Sequence, residues 1–123
     1  MKSIEKELKS FVEKYNLKEE AISSCKIAME NCLKDDIDGM GGFLIEDIRL
    51  EFVSYKLIFE HYFFSTSFVK TKIGLYKIEE NDIYIRNLEP IGYYELDTYL
   101  NGESFDDWLV TTKQKELNEK HEY

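Results

Sequence analysis

A chain of 123 residues with 43% apolar and 15% aromatic side chains has the size of one domain and enough to bury, which excludes intrinsic disorder and a disulfide-stapled miniprotein. Its formal charge of −9 repels nucleic-acid phosphates and anionic membrane surfaces and attracts cations or basic proteins, so neither a nucleic-acid nor a membrane partner is expected. The longest weakly charged run, Val53 to Val69, still carries Lys56, Glu60 and His61 and is too short and polar to cross a bilayer.

Residues Ser3 to Tyr15 set Ile4, Leu8, Phe11, Val12 and Tyr15 on one face with lysines and glutamates opposite, the pattern of an amphipathic helix. Met1 to Ser10 lack the continuous apolar stretch of a secretory signal, and a cytoplasmic location is expected. Asn16 followed by Glu19 has capping-box spacing and predicts a second helix, whose stripe is Ala21, Ile22, Cys25, Ala28, Met29, Cys32 and Leu33. Cys25 and Cys32, seven residues apart on that helix, are separated by about 10 Å along its axis, beyond disulfide reach, and both read as buried, reduced thiols.

The run Asp35-Asp36-Ile37-Asp38-Gly39-Met40-Gly41-Gly42 opposes regular structure and reads as a flexible joint to a sheet. Strands are predicted at Ile48 to Val53, Lys56 to Phe63, Phe68 to Lys77 and Ile83 to Asn87, the first two being open to reading as one bent strand or as a helix through Glu46 to Tyr62. Pro90 closes the fourth strand, Ile91 to Leu100 supplies a fifth, and Asn101-Gly102 signals a tight turn. Beyond it two readings compete. Phe105 to Thr112 returns as a strand, or Ser104 caps a final helix with Asp106 and Asp107 in its first turn. Lys113 to Tyr123 are polar and are expected to fray. The expected fold is a single α+β domain over residues 1–123: an N-terminal αα-hairpin packed on a meandering antiparallel sheet of about five strands, with a C-terminal helix as the open alternative.

Catalytic and metal signatures are weak. Aligning Gly39 with the invariant glycine of a calcium loop puts Lys34 and Ile45 at ligand positions, so Asp36 and Asp38 read as a solvated helix-ending loop. Gly39-Met40-Gly41-Gly42 lacks the Lys-Ser/Thr of a phosphate loop. His61 is the one histidine away from the C-terminus, and Glu60 beside it would point to the other face of a strand, so it reads as structural. Without a nucleophile motif either, the expectation is a binding protein with no cofactor and no metal, not an enzyme.

Charge segregation carries more information. Residues 52 to 78 hold four bases against one acid, whereas residues 79 to 107 hold one base against nine acids. The densest part is Glu95, Asp97, Glu103, Asp106 and Asp107, interleaved with Tyr99 and Trp108, side chains favoured as interface anchors. If Asn101-Gly102 is a two-residue hairpin turn, Asp97 falls opposite Asp106, and like charges so placed repel. Relief of that repulsion predicts that reversing Asp97, Asp106 and Asp107 together spares the fold and weakens a cationic partner's binding. The competing reading is a solvated acidic surface above an aromatic core.

The segments Pro90-Ile91-Gly92-Tyr93-Tyr94-Glu95-Leu96, Asn101-Gly102 and Phe105-Asp106-Asp107-Trp108-Leu109-Val110 resemble the small cytosolic immunity proteins that bacteria encode beside toxins of contact-dependent inhibition and related polymorphic toxin systems. The resemblance implies stoichiometric neutralisation of a basic toxin domain, often a nuclease. Read from the residues, the acidic, aromatic surface of Glu95, Asp97, Tyr99, Glu103, Asp106, Asp107 and Trp108 is the candidate for its contact. Two further readings stay open: a small ligand-binding domain or enzyme of cystatin-like architecture with an apolar pocket, and a homo-oligomer joined through a sheet with aromatics on both faces.

Overall fold

The computed structural model describes residues 2–59, 66–78 and 88–113. Two helices, α1 (Lys2–Lys14) and α2 (Leu17–Asp35), precede a 3-10 turn at Ile45–Asp47 and four strands, β1 (Ile48–Ile58), β2 (Phe68–Ile78), β3 (Leu88–Tyr99) and β4 (Ser104–Thr111). The strands form one antiparallel sheet in the order β1-β2-β3-β4, and among the described residues no helix is long and apolar enough to cross a membrane.

The α+β class and the αα-hairpin are as the periodicity predicts, but the strand count is not. The described sheet has four strands, and the strand expected at Ile83 to Asn87 lies outside the described residues. The described part of the two expected at Ile48 to Val53 and Lys56 to Phe63 is one bent strand, Ile48–Ile58, because a bulge at Val53 lets the chain keep its pairing with β2 on both sides of that residue, and residues 60–63 lie outside the described residues. Pro90 lies inside β3 instead of ending it. It sits beside the bulge at Ile91 and beyond the paired end of β4, both places where a missing N–H is tolerated. Residues 104–111 are strand, not helix.

The helical stripe of α2 buries Leu17, Ala21, Cys25 and Met29, spaced four apart so that they line one side. The last three pack on the residues of β2 and β3 that alternate toward them, Ile73, Leu75, Tyr94 and Leu96, with Ile48 and Ile91 completing the layer. A smaller cluster joins Val12 of α1 to Leu17 and Val69. Asn16 is not a side-chain cap. It is left-handed, with φ 50°, and makes no capping hydrogen bond. Asparagine tolerates that conformation better than most residues, and one such residue reverses α1 into α2.

The glycine-rich segment is a packed plug, not an open joint. Asp36 Oδ1 accepts the Asp38 N–H at 3.0 Å, the Gly39 N–H donates to the Asp36 carbonyl at 2.8 Å, and these turns deliver Met40 and Phe43 into the main core.

Both cysteines are free, but they differ from the expectation of two buried thiols. Cys25 is buried, and burial pushes its thiol up to about 12, whereas Cys32 is only partly buried. Since the thiolate is the reactive form, a thiol reagent should label native Cys32 first, with Cys25 reacting only on unfolding. Mass mapping of partial labelling checks the order, and equal rates would contradict it.

Candidate binding face

Alternation along the strands divides the sheet into two faces. Both helices cover the face of Phe52, Tyr55, Val69, Ile73, Leu75, Tyr94 and Leu96. The opposite face is built of cross-strand rows that no described helix covers. One row runs Lys56, Lys70, Asp97, Asp106 from β1 to β4, and the next runs Ser54, Lys72, Glu95, Trp108. Bases occupy β1 and β2, acids β3 and β4. Aromatic contacts extend the face at the hairpin end, where Tyr99 and Phe105 stack at 4.0 Å and Phe68 meets Phe105 edge-on at 5.2 Å.

Lys70 is the hub of this face. Its Nζ lies 3.1 Å from Asp97 Oδ1, 3.4 Å from Glu95 Oε1 and 4.5 Å from the centroid of the Trp108 ring. Lys72 sits over Tyr93 at 4.6 Å in the same manner. The carboxylates expected to wait for a foreign cation are thus partly neutralised by the chain's own lysine.

Asp97 is 1% exposed, and burial holds its carboxyl above the usual range, opposed by Lys70 and reinforced by Asp106 and Glu95. In the unfolded chain the group ionises first as pH rises, so the native state then binds more protons, and this residue's contribution to stability falls from mildly acidic toward neutral pH. Asp97→Asn leaves Lys70 paired with Glu95 and relieves the burial of a carboxylate, so the variant is expected to gain stability relative to the wild type as pH rises from 4 to 7. Urea melts of both proteins at the two values check this, and a large loss at pH 7 would make Asp97 an indispensable counter-ion.

The structure brings together Glu95, Asp97, Tyr99, Asp106 and Trp108 of the sequence-derived set and separates the other two. Glu103 lies in the hairpin connection, its N–H bonded to Asn101 Oδ1 at 2.9 Å. Asp107 points to the helix-covered side, where its Oδ2 accepts the Tyr94 hydroxyl at 2.7 Å. Reversing Asp97, Asp106 and Asp107 together would therefore bury a cation beside Lys70 and take from the Tyr94 hydroxyl its carboxylate acceptor, contrary to the expectation of an undisturbed fold. Only the exposed Asp106 of the three can be reversed without that cost.

Asp97 does face Asp106. The turn spans three residues, Leu100 to Gly102, closed by Gly102 N–H to the Tyr99 carbonyl at 2.9 Å with Gly102 at φ 93°, and an extra residue at Phe105 restores the register that a two-residue turn would have set. Lys70 and Lys72 were absent from the sequence-derived set; their signal was the basic balance of residues 52 to 78.

Two other features were weighed as sites. An apolar groove of about 540 Å³ lies between α1 and the sheet, lined by Leu8, Val12, Tyr55, Leu57 and Val69, with Glu5 and Lys9 at its rim. No three His, Cys, Asp or Glu side chains converge as a metal site among the described residues, and His61 lies outside them. Comparison with protein-family models, curated proteins and solved structures finds no match.

Proposed function

We propose that the protein neutralises a basic protein partner by stoichiometric binding, as the immunity proteins that its sequence resembles do with their toxins in the cytoplasm. The observation that carries this reading is the acidic, aromatic half of the face that no described helix covers. Asp106 is exposed, Trp108 is 43% exposed, and Glu95 and Tyr99 stand beside them on β3. A half-exposed tryptophan rimmed by carboxylates is suited to anchor a cationic surface, the aromatic supplying desolvated contact and the charges the association rate. Lys70 would hold the carboxylates in place, leaving Asp106 and Glu95 to meet the partner.

The test is protection. The basic product of the neighbouring reading frame should co-purify with this chain, and its toxicity should be suppressed by the wild type. Asp106→Lys with Trp108→Ala should weaken that binding by at least about tenfold without unfolding the protein. Lack of protection by the folded wild type would sink the proposal.

The apolar groove beside α1 favours a second reading, a carrier of a small apolar ligand. Saturable binding of a fatty acid or similar probe, abolished by Leu8→Asp, would support it in place of the first.

A further inference from the structure

We propose that a second copy of this chain docks on the face that no described helix covers, sheet against sheet, about a two-fold axis parallel to the strands. The inference stands apart from the toxin reading, because it draws only on the order of charges across the face. An axis parallel to the strands and midway between β2 and β3 sets β1 of one copy over β4 of the other, and β2 over β3, at equal heights. Lys56 then meets Asp106 and Lys72 meets Glu95, each pair occurring twice, while Lys70 and the buried Asp97 stay paired within each copy. No base in the two rows faces another base. An axis perpendicular to the strands would set like strands, and so like charges, over one another.

The aromatic side chain at the edge fits the same operation. Trp108 lies in the row of Ser54 and Lys72, so it descends on β1 of the other copy beside Val53, which is 44% exposed. A depression of about 450 Å³ begins beside Val53 and runs across β2 and β3 past Lys72, Tyr76, Pro90 and Tyr93.

Size is consistent with a reversible pair. Four strands about 4.8 Å apart, over eight residues at about 3.3 Å each, give a face of roughly 500 Å² per copy, or about 1,000 Å² for the pair, the lower end for a specific interface. The net charge of −9 opposes association at long range. At physiological salt, with a screening length of about 8 Å, that repulsion is reduced more than the contacts between facing rows. A basic partner on the acidic half of the face would compete with the second copy.

Sedimentation of the full chain from about 1 μM to about 500 μM tests the proposal. The wild type should form a dimer within that range, with emission from Trp108, the one tryptophan, shifting to the blue as it forms. Asp106→Lys and Lys56→Asp are both at exposed positions, and each alone should weaken the dimer by about tenfold or more. Mixing the two variants should restore a heterodimer, because lysine then faces aspartate at both ends of the interface, and the double variant should dimerise by itself. A wild type that stays monomeric throughout, single variants that dimerise like the wild type, or a mixture that remains monomeric would each overturn it.

Discussion

Truncating Tyr94 to alanine is expected to cost about 3–5 kcal/mol, enough to unfold much of the population of a domain of ordinary stability. The side chain is 0% exposed and belongs to the cluster with Ala21, Cys25 and Met29, so its loss opens a ring-sized cavity where α2 meets β3. Its hydroxyl also reaches Asp107 at 2.7 Å, and burial together with that bond to a carboxylate raises the phenol well above its ordinary range. Tyr94→Phe keeps the ring and loses the bond. It should cost about 1–2 kcal/mol, since the exposed Asp107 can return to water. Urea melts of the two variants separate packing from hydrogen bonding. Equal, small losses would show that the ring can be replaced by repacking and that this junction is not the centre of the core.

The parts of this fold legible in the sequence are those fixed by local periodicity. The 3.6-residue stripe of α2 and the alternation in β2 and β3 are properties of ten or so neighbouring residues, and the burial of Ala21, Cys25, Met29, Ile73, Tyr94 and Leu96 follows them. Asn16 was misread because capping-box spacing and a left-handed joint use the same residue type. The Asp97–Asp106 pairing was reached through a turn one residue too short, compensated by the bulge at Phe105. An error in turn type usually flips every later side chain, and here the extra residue undoes it.

Lys70 was beyond reach for a different reason. It stands beside Asp97 because β2 pairs with β3 in one register, and those strands are separated in sequence by residues 79–87, where a turn at Glu79 to Asp82 and a strand of its own at Ile83 to Asn87 are expected, so the sequence pairs β2 with that strand and fixes no register with β3. The same holds for Asp107. Its exposure and charge placed it with Asp106, but neighbours on a strand point oppositely, and the hydroxyl that holds it comes from the covered face. Composition located the acidic segment, and only register divided it into an exposed edge and a core support.

Gly92→Ala is expected to destabilise the protein by about 1–3 kcal/mol and to act on the binding face before the rest of the fold. A methyl group there would sit 2.3 Å from the Val110 carbonyl oxygen and 3.1 Å from Thr111 Cα, both backbone atoms of β4. No side-chain rotation relieves such a clash, so the strand itself must move. Among the described residues β4 is an edge strand, paired with β3 alone, and its far end is held by the Thr112 N–H to the Ile91 carbonyl and by the Lys113–Glu89 ion pair. Lifting it displaces Trp108, whose emission should move to the red at temperatures well below the melting transition, and should weaken self-association and partner binding together. Gly74→Ala, on β2, is the control. There the added methyl meets the Tyr76 ring at 2.6 Å, a side chain that can swing toward solvent, so the cost should stay below about 1 kcal/mol. If Gly92→Ala proves as mild as Gly74→Ala and leaves Trp108 emission unchanged, β4 can shift without loss, and the charge rows cannot depend on its register.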